Sequence, residues 1–443
     1  MSDASSTSKL RVLVVAEQCN PDWVSVPLVA WSHYRAIADH PDVERTHLVT
    51  QQRNREAITN FGLVEGRDVT YIDHEYVVGP LYKLANLLGG RGGKGWTIRV
   101  AAYSLAYPHF ERLLWKQFAP QLKAGEFDVV HQLSPLSPTT SPTLGTRCRK
   151  IDKPFIWGPI NGGVPWPRAF MAEQRKEREW LTKVRGVSKL MPRYKAVRKD
   201  AAALLVGSGH TLRQMPDYAR DRCLYLPENA VDPSKFNVRR TRSATDGSPL
   251  RLVYLSRLVP YKGADMALAA AEPLLKSGRA TFDIYGKGPL ETELANKAGD
   301  LPGVTLHGWA DHKNVPGVLA DHDVQVFPSI REFGGGVVLE AMAVGLPSLI
   351  VNYAGPAELV DDDVGWSVPI GNRASIVASV RERLEQIDAD RASIDSKGAA
   401  CVERASRLHT WPHKACCSVD TYRWVLGDGP KPSWGEIAPH LEV

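Results

Sequence analysis

The stretch that most constrains the fold runs from Phe327 to Glu340, F-P-S-I-R-E-F-G-G-G-V-V-L-E. It begins as the end of an apolar strand, Val324 to Phe327, turns at Pro328 and Ser329, and then opens a helix read over Val337 to Val344. Three consecutive glycines, Gly334, Gly335 and Gly336, stand between two acids, Glu332 and Glu340, that have seven residues between them. A helix N-terminus offers unpaired backbone N–H groups and the positive end of the helix dipole, a setting that attracts anions. Glycines remove the side chains that would hold a phosphate or a sugar at a distance. Glu332 precedes the turn and is expected to face the ligand, whereas Glu340 lies about one helical turn inside and could reach a more distant hydroxyl. Carboxylates are poor ligands for phosphate but good acceptors for sugar hydroxyls. Taken alone, the stretch also fits a flexible loop with two solvated acids, so its neighbours have to decide.

Those neighbours repeat one rhythm. Short apolar runs at Leu10 to Glu17, Thr46 to Thr50, Phe127 to Leu133, Pro154 to Gly158, Ala202 to Val206 and Cys223 to Leu226 read as buried parallel strands, with a helix over Val26 to Ala38 between the first two. After a polar stretch bearing Gly and Pro, the rhythm restarts at Arg251 to Leu255, Thr281 to Tyr285, Val304 to His307, Val324 to Phe327 and Pro347 to Val351. At 443 residues, two doubly wound α/β domains are the natural division. The boundaries read as a tail over 1–9, a first domain over 10–228, a linker over 229–250, a second domain over 251–410 and a terminal helix segment over 411–443. G-W-S-V-P at 365–369 reads as a closing turn. The loop after the first strand lacks any G-x-G-x-x-G, which excludes a dinucleotide loop there.

Ligands of doubly wound sheets gather at the carboxyl ends of strands. Arg257 and Lys262 flank the turn after the strand at 251–255, and two cations at a turn that opens a helix reinforce an anion site. His131 ends the strand at 127–133 and is either a site residue or a hydrogen-bonded core histidine. The six cysteines are scattered without metal spacing, and Asp361, Asp362 and Asp363 read as a solvated turn, so no metal site is expected. No apolar run approaches the roughly 20 residues needed to span a bilayer, and residues 1–9 lack an apolar signal region, so a cytoplasmic protein is expected.

Two segments leave alternatives open. Residues 75–118 carry eight aromatics and the glycine cluster at 89–95, and read as a loop plus an amphipathic helix from about Ile98 to Phe118, or as a surface meeting an apolar acceptor or lipid. Residues 168–200 hold eleven Lys or Arg against four acids, a local excess larger than the chain's net +6. They read as a face for an anionic membrane or as a solvated helix packed on the domain. Charge confined to one segment and the lack of a nucleic-acid motif argue against nucleic acid as a partner.

S-R-L-x-x-x-K-G at 256–263, G-K-G-P at 286–289, the Glu-x7-Glu at 332–340 and P-A-E-L-V at 356–360 follow one another in the order found in the family 4 glycosyltransferases of the GT-B fold, and P-E-N-A-V-D-P-S-K-F at 227–236 is similar to that family's segment joining the domains. The chain thus resembles that family, nearly throughout its second domain. The resemblance implies two Rossmann-like domains facing across a cleft, an acceptor held mainly by the first, a nucleotide sugar held by the second, and a terminal helix crossing back. It implies that Arg257 and Lys262 hold the donor diphosphate, that Gly334, Gly335, Gly336 and Val337 present backbone N–H groups, that Glu332 meets donor sugar hydroxyls and Glu340 the ribose, and that Glu358 and Gly286 are further donor contacts. It further implies transfer with retention of anomeric configuration, without a metal or other cofactor, from a UDP-linked or other nucleotide sugar. The acceptor is expected to be a membrane lipid such as diacylglycerol, with the protein peripheral on the inner face, or a soluble saccharide; a non-catalytic sugar-nucleotide-binding subunit is a third reading. The family's second histidine after the one matching His131 is replaced here by Leu133, and its glycines after the first strand by C-N-P-D-W-V-S-V-P. Both departures fall on the acceptor side.

Overall fold

A computed structural model describes residues 8–89, 96–176 and 192–434. The chain divides into two compact units: one of Met1–Gly163, Arg175–Glu228 and Trp411–Val443, the other of Val164–Gln174 and Asn229–Thr410.

The first unit is built on β1 (Leu10–Ala16), β2 (Val43–Gln51), β3 (Val69–Ile72), β4 (Val129–Ser134), β5 (Phe155–Ile160), β6 (Ala203–Val206) and β7 (Cys223–Tyr225), ordered β3-β2-β1-β4-β5-β6-β7. Every pairing is parallel. Both faces are covered, so the strands read as continuous apolar runs and their residues sort by parity. Val12, Val14, Val129 and Leu133 pack with Tyr422 of helix Trp411–Leu426 and with helix Val26–Ala38. Leu13, Val15, Val49 and Val130 pack with Phe110 and Leu114 of helix Trp96–Lys123. That helix is longer than the amphipathic run legible from Ile98 to Phe118, and the glycines at 90–95 lie outside the described residues. The terminal helix is part of the first unit, as the GT-B pattern requires.

The second unit repeats the plan with β8 (Leu250–Leu255), β9 (Ala280–Tyr285), β10 (Val304–Gly308), β11 (Val324–Phe327), β12 (Ser348–Asn352) and β13 (Gly365–Pro369), ordered β10-β9-β8-β11-β12-β13 and parallel throughout. Strand order reverses between β8 and β11, and this switch point places their two carboxyl-end loops side by side. The 365–369 segment is an edge strand rather than a closing turn, because Trp366 and Val368 are drawn into the core beside β12.

Two further segments differ from the sequence reading. Residues 164–174, counted there with the first domain, pack with the second unit, where Trp166 and Phe170 enter its core. The 229–250 linker is docked on that unit too: the Arg240 side chain, 5% exposed, pairs with Asp323 at 3.0 Å and Asp395 at 2.7 Å. The basic 168–200 segment forms helices Met171–Lys176 and Pro192–Asp200, while its centre, 177–191, lies outside the described residues. Among the described residues no helix is long and apolar enough to cross a membrane.

Candidate functional site

Four loops at the carboxyl edge of the second sheet are laced together by backbone hydrogen bonds. The loop after β8 binds the loop after β9 through Leu258 N–H to Lys287 O at 3.0 Å and Leu290 N–H to Leu258 O at 3.1 Å. It binds the loop after β11 through Ile330 N–H to Tyr261 O at 3.0 Å, and that loop accepts Gly355 N–H, from beyond β12, on Glu332 O at 3.1 Å. Glycine makes two of these approaches possible. A Cβ at Gly286 (φ +146°) would lie 1.9 Å from Ser256 O, and one at Gly355 would lie 2.1 Å from Phe333 O.

Within this lacework Lys262, 8% exposed, forms an ion pair with Glu332. Burial pushes the Glu332 carboxyl up, but the Lys262 charge, its hydrogen bond and the N–H groups of Gly335 and Gly334 outweigh burial and hold it below the ordinary range. Two of the three glycine amides therefore serve this carboxylate instead of an incoming ligand. Helix Gly336–Val344 begins immediately after, with Gly335 in a left-handed conformation (φ 62°) and no side-chain cap. Its first turn, Gly336 and Val337, is where anion binding by the helix end would occur. The Asn229 amide stands 3.6 Å from a Cβ built on Gly336. The result is an ammonium, a carboxylate and a helix N-terminus within one loop cluster: donors for phosphate oxygens beside an acceptor for hydroxyls.

The other expected residues are placed as follows. Arg257 is exposed and donates to the Tyr261 hydroxyl at 2.9 Å, at the same loop but outside the Lys262–Glu332 pair. Glu340 faces His312 at 3.2 Å, and that hydrogen bond raises the imidazole's affinity for its proton. Glu358 rides on the short helix Ala354–Leu359, whose Gly355 abuts the bend. Arg331, 5% exposed, stacks over Trp166 at 4.9 Å and Phe333 at 5.4 Å. It is a second buried cation next to Glu332 that the sequence reading passed over, although its place in R-E-F-G-G-G was a signal. Asn229 was missed because it stood in the presumed linker.

His131 belongs to the first unit, where it is fully enclosed. Its Nε2 lies 3.0 Å from Gly158 O and its Nδ1 2.6 Å from the Tyr422 hydroxyl. A carbonyl only accepts, so Nε2 carries the hydrogen and Nδ1 accepts from Tyr422. Both nitrogens are occupied, and burial pulls the ring down to about 4 despite the Gly158 bond. The structure therefore corrects the site assignment: His131 ties the terminal helix to the sheet and presents no free nitrogen to a substrate. Its lowered affinity stabilises the fold fully above the ordinary histidine value of about 6.5, and this contribution fades as pH falls toward 4. His131→Phe is expected to cost about 2–3 kcal/mol and to reduce the slope of stability against pH in that window, as read by urea unfolding. Turnover measured where the variant is folded should persist; its loss would return His131 to the chemistry.

Residues 249–386 match the family model described as "Glycosyl transferases group 1". The amylovoran biosynthesis glycosyltransferase AmsK of Erwinia amylovora is 33% identical over 190 residues, 40% of this chain and 46% of the relative. A GDP-mannose-dependent alpha-(1-6)-phosphatidylinositol dimannoside mannosyltransferase of Mycobacterium tuberculosis is 30% identical over 173 residues, 38% and 43% of the two chains. The chain thus spans less than half the length of these curated relatives. Anabaena HepE, solved in complex with UDP, shares the fold with a TM-score of 0.60 at 13% identity, covering 93% of this chain and 99% of that one. The loops that hold Lys262, Glu332 and the glycine bend all lie inside the matched segment, and the chain accordingly carries a glycosyl transferases group 1 domain on a GT-B fold.

Proposed function

We propose that the protein is a retaining, metal-independent glycosyltransferase of the family 4 type that moves a hexose-type sugar from a nucleoside-diphosphate sugar, UDP-linked in the first instance, to an acceptor hydroxyl. The observation that carries this reading is the Lys262–Glu332 pair at the uncapped start of helix Gly336–Val344. Departure of a nucleoside diphosphate builds negative charge, which an ammonium and a helix N-terminus are suited to stabilise. Arg257 sits on the same loop and would add a second cation, while Glu332 would orient sugar hydroxyls. Attack by the acceptor on the face that the leaving group departs from, with the phosphate taking its proton, needs no enzymic nucleophile.

The relatives' names support donor chemistry of this kind and leave two acceptor classes: one is named for amylovoran biosynthesis, the other for phosphatidylinositol dimannoside. A lipid acceptor such as diacylglycerol, with the basic 168–200 segment on an anionic membrane, is the first of these, and a saccharide acceptor is the second. The test is release of nucleoside diphosphate from UDP-glucose and GDP-mannose, with diacylglycerol liposomes or with soluble saccharides. Release with one donor, strongly reduced in Lys262→Ala, is expected. Absence of release from either donor, together with calorimetry showing no UDP or GDP binding, would refute the proposal. Nucleotide binding without turnover would favour a non-catalytic subunit.

A further inference from the structure

The arm Val164–Gln174 belongs to the second unit, although the chain on either side of it, up to Gly163 and from Arg175, belongs to the first. Its sequence is V-P-W-P-R-A-F-M-A-E-Q. A proline on each side of Trp166 stiffens the chain, since proline fixes its own φ and turns the residue before it away from helical backbone. The indole is thus carried on a preset stretch. Two aromatic anchors seat the arm in the core of the second unit, Trp166 at 6% and Phe170 at 2% exposed, joined by the short 3-10 turn Arg168–Phe170.

The arm reaches three of the four laced loops of the candidate site. On the loop after β8, the Trp166 ring meets Tyr261 nearly edge-on, 5.7 Å between centroids at 81°. The Tyr261 hydroxyl accepts from Arg257 at 2.9 Å, and its carbonyl accepts from Ile330 N–H. On the loop after β11, the Arg331 guanidinium lies over the same indole at 4.9 Å. Directly after β12, the Tyr353 hydroxyl donates to Pro165 O at 2.7 Å. One indole therefore touches both the ring that orients Arg257 and the guanidinium that precedes Glu332.

Filling a core asks only for apolar volume, which an aliphatic side chain supplies. The Trp166 contacts ask for more, because an edge-on aromatic pair and a stacked guanidinium both depend on where the ring faces. Cation–π attraction also strengthens away from water, and Arg331 and Trp166 are 5% and 6% exposed.

We infer that the arm is part of the nucleotide-sugar site and that Trp166 is a positioning residue. It holds the loops after β8 and β11 in the geometry that binds a nucleoside diphosphate, so a segment carried by the chain of the first unit completes the site of the second. The inference rests on the functional reading above, which gives these loops a nucleotide to bind. Linkage adds a consequence that core packing lacks: if the docked arm favours nucleotide, nucleotide favours the docked arm by the same factor.

Trypsin reads that docking in the full chain, because Arg168 is exposed on the arm and is cut when the arm opens. Saturating UDP or GDP is expected to slow cleavage after Arg168 by at least about threefold, with the protease's rate on a small peptide unchanged. Tyr353→Phe deletes the hydroxyl bonded to Pro165 and keeps the ring; it should speed that cleavage, and nucleotide should slow it again. Calorimetry reads the site, below the thermal transition of each variant. Trp166→Leu keeps an apolar side chain and loses the ring, and should weaken the nucleotide about tenfold and raise the donor's KM in step, with kcat within about threefold of the parent. Trp166→Phe returns a ring and should bind within about threefold of the parent. Cleavage after Arg168 that ignores nucleotide, or a folded Trp166→Leu that binds nucleotide as the parent does, reduces the arm to core packing and overturns the inference while the functional reading stands. Should Trp166→Leu fail to fold, the protection of Arg168 decides alone. A parent that binds neither UDP nor GDP overturns the functional reading and this inference with it.

Discussion

Lys262→Ala is expected to lower kcat/KM for the nucleotide sugar by about 10²–10³-fold, the range found when one preorganised donor to a developing anion is removed. The same change also reaches the fold. Glu332 lies with 19% of its side chain exposed, and its carboxyl is held ionised by Lys262 and by the amides of Gly335 and Gly334 against the burial that opposes it. Without the ammonium, that carboxylate keeps its desolvation cost and loses its main compensation, for a stability loss of about 2–3 kcal/mol. In the parent protein the contribution is present above the ordinary glutamate value and is lost as pH falls through the lowered one, so Lys262→Ala should flatten the acid limb of the stability profile. The two effects separate in a double variant. Lys262→Met with Glu332→Gln removes both charges while the Gln oxygen can still accept from the glycine amides, so the thermal midpoint should largely return while turnover does not. Activity within threefold of the parent in Lys262→Ala would make the pair a structural staple and nothing more.

How much of this was legible in the chain depends on what kind of interaction made each feature. The two sheets were readable because strands buried on both faces are unbroken apolar runs, and 10–17, 251–255 and 324–327 announce themselves this way. The meeting of Lys262 with Glu332 was foreseeable from the switch point between β8 and β11, once two doubly wound units were assumed. Edge strand β13 was hidden because G-W-S-V-P is too short and too rich in Gly and Pro to look like a strand until β12 pairs with it. The docking of 229–250 was hidden for a related reason: Arg240 reads as a solvated cation, and only the fold brings Asp323 and Asp395 to it. His131 shows the limit most clearly. A histidine at a strand end has two physical readings, and Tyr422, 291 residues away, decides between them. The amides of Gly334 and Gly335 were read as donors to a ligand anion, and in the structure they face Glu332 itself, which a pattern of residue types cannot distinguish from a substrate.

Gly286→Ala should do the most damage of any single methyl group in the second unit. Gly286 has φ +146°, a region that side chains rarely adopt, and the added Cβ would lie 1.9 Å from the Ser256 carbonyl oxygen. That oxygen belongs to backbone and cannot rotate away, so the strand ends of β8 and β9 must part. Parting them strains the bonds Ser256 N–H to Tyr285 O at 3.1 Å and Leu258 N–H to Lys287 O at 3.0 Å, on which the placement of the Arg257–Lys262 loop depends. A backbone-conformation cost of about 1–3 kcal/mol plus the weakening of these hydrogen bonds at about 1 kcal/mol each gives a loss of roughly 3–5 kcal/mol. Gly278→Ala is the control, since it shares a positive φ of +70° but has no atom within 4 Å of its Cβ, and should cost only about 1 kcal/mol. Guanidinium unfolding of the two variants separates conformation from collision. Because the collision displaces the cation loop, Gly286→Ala should also weaken UDP or GDP binding by at least about tenfold at temperatures where the variant remains folded, whereas Gly278→Ala should not. Equal losses in the two variants would show that backbone conformation alone demands glycine at 286, and the lacing of the loops would then not be what holds Lys262 in place.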